Sequence, residues 1–278
     1  MKRAVADPAT SAPARVHVES VGAGPPLVLL HGFALHGGVF APILPTLART
    51  HRVHVVDLPG HGHSRDVPAP SLDAVVDRVA AAVGDALARD GATGRAPAVL
   101  GWSFGGQVAM AWALRDPGAV ERLALVCTTP SFVVRPGWST AVPEDTLARF
   151  GDELRVAWRL TLQRFLTLQV QGSDAGRRTL AQLRERLFER GQPSVAELGA
   201  TLSILLGADL RARVGTIATR ALVVTGPRDT LAPPEAGAWL ARTLPAARLV
   251  TIDGAAHAPF LSHPAPFVDA VGGFLDGR

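Results

Sequence analysis

The chain has 278 residues, 47% of them hydrophobic and 19% charged, which supplies a large folded core and excludes a disordered chain. Its net charge is only +4, yet its pI is near 10.7, because Lys2 is the only lysine, tyrosine is absent and the basic side is almost all arginine. Those arginines are dispersed among acids without a groove-reading motif, so no nucleic-acid partner is expected. No run approaches the ~20 apolar residues that span a bilayer, and no internal repeat is visible, so neither a membrane protein nor a solenoid is expected. Cys127 is the only cysteine, which rules out an intrachain disulfide; it reads as a small core residue at the end of a strand.

Residues 1–13 read as a flexible leader: Lys2 and Arg3 are followed by Asp7, Pro8 and Pro13 where a secretory signal would place an apolar stretch, so a cytoplasmic protein is expected. Arg15 to Ser20 alternates like an edge strand. After a Gly- and Pro-rich turn, Leu27 to Leu30 is unbroken apolar, as a strand covered on both faces must be. It ends in His31-Gly32-Phe33. Leu35 to Thr50 reads as a helix despite internal prolines, Arg52 to Asp57 as a strand and Leu72 to Arg89 as a helix. Ala96 to Trp102, Phe104 to Arg115 and Arg122 to Cys127 continue the rhythm. Such alternation predicts an α/β fold with a doubly wound, mostly parallel sheet that binds ligands at the carboxyl ends of its strands.

The rhythm breaks from about Ser131 to Arg213, where helical patterning is punctuated by Pro136, Pro143, Gly172 and Pro193, and a strand resumes at Arg220 to Thr225. The expected organisation is therefore a core from 1–130 and 214–278 with a helical lid at 131–213 over the strand ends. Phe150, Leu154, Trp158, Leu162, Phe165, Leu166 and Leu168 suit a helix with one buried face. From Arg155 to Arg190 eight arginines stand against three acids, whereas a solvated face normally mixes signs.

The chemistry-bearing stretch is Gly101-Trp102-Ser103-Phe104-Gly105-Gly106, set between an apolar strand and a helix. Gly-x-Ser-x-Gly in that context is a nucleophile elbow: small residues let strand and helix backbones close on each other while the serine is held in strained dihedrals. Ser103 is the expected nucleophile. The N–H groups of Phe104, at the positive end of its helix, and of Phe33 would form the oxyanion hole. His31 is expected to hold its loop by hydrogen bonds. His61 and His63 lack a third ligand at suitable spacing, so no metal site is expected.

Two later strand ends carry acid and base. The strand ending at Thr225 runs into Gly226-Pro227-Arg228-Asp229, and Ala247 to Ile252 runs into a loop containing His257. In the chain order Ser, Asp, His, the imidazole of His257 would take the Ser103 proton and Asp229 would orient it. Asp253 is a rival acid, disfavoured because it ends its strand too early to reach behind the imidazole. His263, before Pro264, reads as a helix-entry residue.

With Leu29-Leu30-His31-Gly32, Asp57-Leu58-Pro59-Gly60-His61-Gly62, Gly101-Trp102-Ser103-Phe104-Gly105-Gly106, Gly226-x-x-Asp229 and His257 in order, the chain resembles the α/β-hydrolase superfamily over nearly its full length. Within it, the sequence is most similar to the pimeloyl-[acyl-carrier protein] methyl ester esterases of biotin synthesis. That likeness rests on 101–106, on Arg164-Phe165-Leu166-Thr167-Leu168-Gln169, and on Ala255 to Pro264. The resemblance implies a serine carboxylesterase without cofactor that cleaves the methyl ester of a pimeloyl chain on acyl-carrier protein; because the chemistry does not require the carrier, small short-chain esters are expected substrates too. It places substrate contacts at Phe33, Ser103, Phe104, Phe165, Leu166, Thr167, Leu168, Gln169 and His257. It places carrier-protein docking at Arg164 and Arg177. Two departures stand out: Phe33 replaces a usual tryptophan, and Ala181 stands where another arginine is expected. A lactonase or carbon–carbon bond hydrolase on the same fold, an acyltransferase, and a non-catalytic ligand receptor are the competing readings.

Overall fold

The computed structural model describes residues 15–277, so the leader expected at 1–13 lies outside it. Among the described residues a seven-stranded sheet has the order β1-β3-β2-β4-β5-β6-β7. Its strands are β1 (Val18–Val21), β2 (Pro26–Leu30), β3 (Arg52–Val56), β4 (Ala98–Trp102), β5 (Arg122–Val126), β6 (Arg220–Thr225) and β7 (Ala247–Thr251). β1 pairs antiparallel with β3, and every other pairing is parallel. The inner strands β2 and β4 are buried at every position, which is why they read as unbroken apolar runs, whereas β7 is largely open at the opposite edge from β1.

The flanking helices are α1 (Leu44–Leu47), α2 (Leu72–Arg89), α3 (Phe104–Arg115), α7 (Pro234–Thr243), α8 (Pro259–Ser262) and α9 (Pro264–Leu275). α3 is buried along most of its length and packs on β4, β5 and β2, so the segment that begins at Ser103 lies at the centre of the molecule. The helix expected over Leu35 to Thr50 is broken: a 3-10 turn at Gly37–Phe40 and the single turn α1 replace it. Pro42 and Pro45 each remove an N–H donor and crowd the preceding turn, so one continuous helix cannot form.

Between β5 and β6 lie α4 (Glu144–Val170), α5 (Gly176–Arg186) and α6 (Val195–Gly207). α4 bends at Ala157, whose φ of −142° and ψ of 48° leave the helical region. Leu154, Leu162, Leu166 and Leu183 are buried within this layer. Its junction with the sheet is polar and partly buried. Arg190, just beyond α5, reaches Asp57 at the end of β3 through Nη1 at 3.1 Å to both carboxylate oxygens, and Glu19 of β1 through Nη2 at 2.6 Å. His36 Nε2 donates to the Arg186 carbonyl at 2.6 Å, while Nδ1 accepts from Gly38 N–H. Burial alone would raise the Asp57 carboxyl, yet it lies below its ordinary value. The neighbouring His31, the His63 N–H, the Arg190 guanidinium and the Gly37 N–H hold it down against that burial.

Candidate active site

The site begins with the tight reversal from β4 into α3. A side chain at Gly101 would collide with the Gly105 carbonyl, and one at Gly105 with the Leu30 carbonyl, so the strand, the turn and β2 can approach only where Cβ atoms are missing. Ser103 at the apex has φ 56° and ψ −119°, a strained conformation for a residue with a side chain. Its N–H donates to the Val126 carbonyl at 2.9 Å, and its own carbonyl accepts from the Thr128 hydroxyl at 2.7 Å. The neighbouring strand thus holds the strained residue in place.

The two side chains expected as acid and base arrive from β6 and β7. His257 Nε2 lies 2.9 Å from Ser103 Oγ, and its Nδ1 lies 2.8 Å from Asp229 Oδ2. Asp229 Oδ1 accepts from the N–H groups of Leu231 and Ala232, each at 2.9 Å, so its carboxylate is locked and can only accept. The imidazole therefore carries its proton on Nδ1 and offers the Nε2 lone pair to the Ser103 hydroxyl. All three residues are buried. Asp253 is exposed and contributes nothing here.

The backbone around His31 closes against the same point. A Cβ added at Gly32 would stand 3.1 Å from the Ser103 Cβ, so the His31-Gly32-Phe33 turn passes directly over the serine. Among the described residues the Phe33 N–H makes no hydrogen bond, and Phe104, the first residue of α3, has no intrahelical acceptor for its N–H. His31 fixes this turn. Its Nε2 accepts from Leu58 N–H at 2.9 Å, which leaves Nδ1 to donate to the Gly32 carbonyl at 2.8 Å. Burial pushes its imidazole down to about 3, and that of His61 to about 4, so both are neutral at physiological pH.

Above these groups opens a pocket whose walls are nearly all apolar: Phe33, Phe132, Phe150, Phe165, Leu202 and Leu231 enclose the side of Ser103 and His257. Phe33 meets Phe165 and Phe150 edge to face at 5.7 and 6.1 Å between centroids. Within 165–169, Leu168 lines it together with Phe165, and the other three side chains do not. Leu166 is fully buried in the helical layer, and Thr167 faces outward with its hydroxyl on the Gln163 carbonyl. Gln169 acts through its backbone, its carbonyl accepting from His257 N–H at 3.1 Å. The Phe104 ring is buried away from the pocket. Sequence reasoning missed Phe132, Val142, Thr146, Leu147, Leu202, Leu205 and Leu231 as pocket walls. An apolar wall and an apolar core carry the same residue types.

Over residues 27–270 the sequence matches the alpha/beta hydrolase family. The chain belongs to the α/β-hydrolase family. It is 43% identical over 255 residues to the pimeloyl-[acyl-carrier protein] methyl ester esterase of Nitrosomonas europaea, covering 92% of this chain and 97% of that one. It is 44% identical over 260 residues to the protein of the same name from Chromobacterium violaceum, covering 93% and 97%. Among solved structures, an esterase from Exiguobacterium antarcticum superposes with a TM-score of 0.81 at 20% identity, covering 94% of this chain and 95% of that chain. The enol-lactonase from Burkholderia xenovorans LB400 superposes with a TM-score of 0.79 at 22% identity, covering 94% and 96%. Likeness at that identity shows the shared fold. Among the described residues no helix of this family member is long and apolar enough to cross a membrane.

Proposed function

We propose that this chain is a serine carboxylesterase that hydrolyses the methyl ester of a pimeloyl chain carried on acyl-carrier protein, freeing the carboxylate for biotin synthesis. The carrying observation is the unbroken hydrogen-bond relay from Ser103 through His257 to Asp229, facing a pocket with almost no other polar group. The relatives that share 43% and 44% of its sequence bear that activity in their names.

In this reading Ser103 Oγ attacks the ester carbonyl carbon as His257 Nε2 takes its proton. The carbonyl oxygen becomes an oxyanion met by the Phe33 and Phe104 N–H groups. Collapse breaks the bond to the methoxy oxygen, which leaves as methanol with the proton from His257. Water then adds to the acyl-enzyme, giving its proton to His257, and the free carboxylate and the Ser103 hydroxyl are regenerated. Asp229 stabilises the imidazolium in both halves. The aliphatic chain lies against Phe33, Phe165 and Leu168, and the apolar walls favour the neutral ester over the charged product.

The carrier protein is proposed to dock on the outer face of α4 and the start of α5. Arg164 is exposed beside Glu153, and Arg177 is exposed with no ion pair among the described residues. Val156, 88% exposed, and Leu160 add an apolar component to this basic face. The arginine excess is partly spent internally, since Arg190 and Arg186 pair with acids at the junction with the sheet. A cytoplasmic location goes with this reading, and the single, buried, free Cys127 fits a reducing compartment. The test is complementation: the gene should restore growth without biotin to a strain lacking the esterase, and its Ser103→Ala form should not. Expressed, folded protein that fails to restore growth would move the substrate elsewhere.

A further inference from the structure

Three metal-binding side chains that the ester chemistry does not use meet at the β1 edge of the sheet. His17 immediately precedes β1, Glu19 lies within it, and His63 comes from the 3-10 turn Gly62–Ser64. One ligand atom from each, an imidazole nitrogen from either histidine and a carboxylate oxygen, lies within 4.8 Å of the other two. His17 Nε2 and Glu19 Oε1 are 3.2 Å apart, and the two imidazole rings lie 4.7 Å apart between centroids. Glu19 and His63 are exposed and His17 is half-buried, so water reaches the remaining coordination positions.

The arrangement is held in advance. Residues two apart on a strand share a face, which puts His17 and Glu19 side by side. The His17 N–H donates to Ser64 Oγ at 2.8 Å, the His17 carbonyl accepts from Asp57 N–H at 3.0 Å, and His63 N–H donates to Asp57 Oδ2 at 2.8 Å. Arg190 Nη2 grips Glu19 Oε2, leaving Oε1 turned toward the imidazole. Hydrogen bonds of this kind to the outer oxygen are what orient a ligating carboxylate. The guanidinium does not forbid a cation, because Asp57 and Glu19 together place two carboxylates around one positive charge.

We propose that His17, Glu19 and His63 bind a divalent transition-metal ion of the zinc type. Two imidazole nitrogens and one carboxylate oxygen form a donor set suited to zinc, nickel or copper and not to magnesium or calcium. Three protein ligands completed by water are a common open zinc geometry. The ion would tie β1 to the 62–64 turn and, through Glu19, brace Arg190, the residue that fastens the end of α5 to the sheet. Its role would be structural, at a place separate from Ser103.

The test uses the full chain without an affinity tag, stripped of metal and dialysed against zinc chloride. One zinc ion should be retained per chain, zinc at a hundredfold excess over its Kd should raise Tm by several degrees, and the copper-loaded protein should show electron paramagnetic resonance hyperfine structure from two imidazole nitrogens. The His17→Ala/His63→Ala variant should lose all three effects while its metal-free circular dichroism and ester hydrolysis match the wild type. Should that variant fail to fold, His63→Gln, at an exposed side chain, should weaken zinc binding at least about tenfold. No retained zinc, equal retention by the histidine variants, or loss of the ion only on Cys127→Ala, which would place it at the Cys127, Asp229 and His257 cluster, would each overturn the proposal.

Discussion

The indole Nε1–H of Trp102 donates a 2.7 Å hydrogen bond to the main-chain carbonyl of His257, so the residue just before Ser103 holds the backbone that carries the imidazole. The peptide on the other side of the His257 Cα is held by α4, through the bond from His257 N–H to the Gln169 carbonyl. Replacing Trp102 with phenylalanine keeps a ring against Phe260, now 5.0 Å away between centroids, and removes the donor. Turnover of a short-chain ester by Trp102→Phe should fall about tenfold with KM little changed, the effect of roughly 1.4 kcal/mol from one lost buried hydrogen bond. Steady-state kinetics reads this directly, and unchanged turnover would show that packing alone positions His257.

Removing the Ser103 oxygen leaves the elbow intact, because backbone contacts build it. Ser103→Ala should lower turnover by on the order of 10⁴ to 10⁶ without shifting the denaturation midpoint appreciably. Asp229→Asn should cost about 10⁴ by permitting the wrong imidazole tautomer, whereas Asp253→Asn, at an exposed residue, should stay near wild type. The reverse ranking of the two asparagine variants would transfer the acid's role to Asp253.

Two buried histidines set an acid limit on stability. Folding depresses His31 to about 3 and His61 to about 4 from an ordinary 6.5, chiefly through burial. The unfolded chain therefore takes up protons below pH 6.5 that the folded chain refuses. Stability from this source is fully present above about pH 6.5 and is lost as pH falls toward the folded values, each histidine contributing a slope of about 1.4 kcal/mol per pH unit. Urea midpoints should be flat above neutrality and decline steadily from pH 6.5 to 4.5. A flat profile through that window would contradict neutral, buried imidazoles at these positions.

The strands were legible because burial on both faces writes itself into residue type, as in Leu27 to Leu30, and the turn at Ser103 was legible because its close contacts demand glycine. The link from Trp102 to His257 was not, since a backbone carbonyl leaves no trace in residue identity. Gln169 shows the same limit: its position was readable, but its contribution is a main-chain acceptor and its side chain does not line the pocket. The helix read over Leu35 to Thr50 erred by weighting apolar spacing above Pro42 and Pro45. Local spacing leaves His63 without a third ligand, because it does not show that the sheet edge brings His17 and Glu19 beside it.

The proposed carrier docking can be separated from the chemistry by charge. Acyl-carrier proteins are acidic, so Arg164→Glu with Arg177→Glu should lower turnover of the carrier-bound ester by about an order of magnitude or more and remove part of its salt dependence. Hydrolysis of a small soluble ester, which does not touch that face, should be nearly unchanged and insensitive to ionic strength. Equal loss on both substrates would indicate a damaged helical layer instead of a lost docking surface.

The most direct measurement is the intact mass of acyl-carrier protein bearing the methyl-esterified pimeloyl chain, followed during incubation with the purified protein. The account predicts a loss of one CH₂ from the carrier, as methyl ester becomes carboxylate, with the thioester intact and no change in the presence of Ser103→Ala. A carrier that keeps its mass, or that loses the whole acyl chain by cleavage at the thioester, would contradict it.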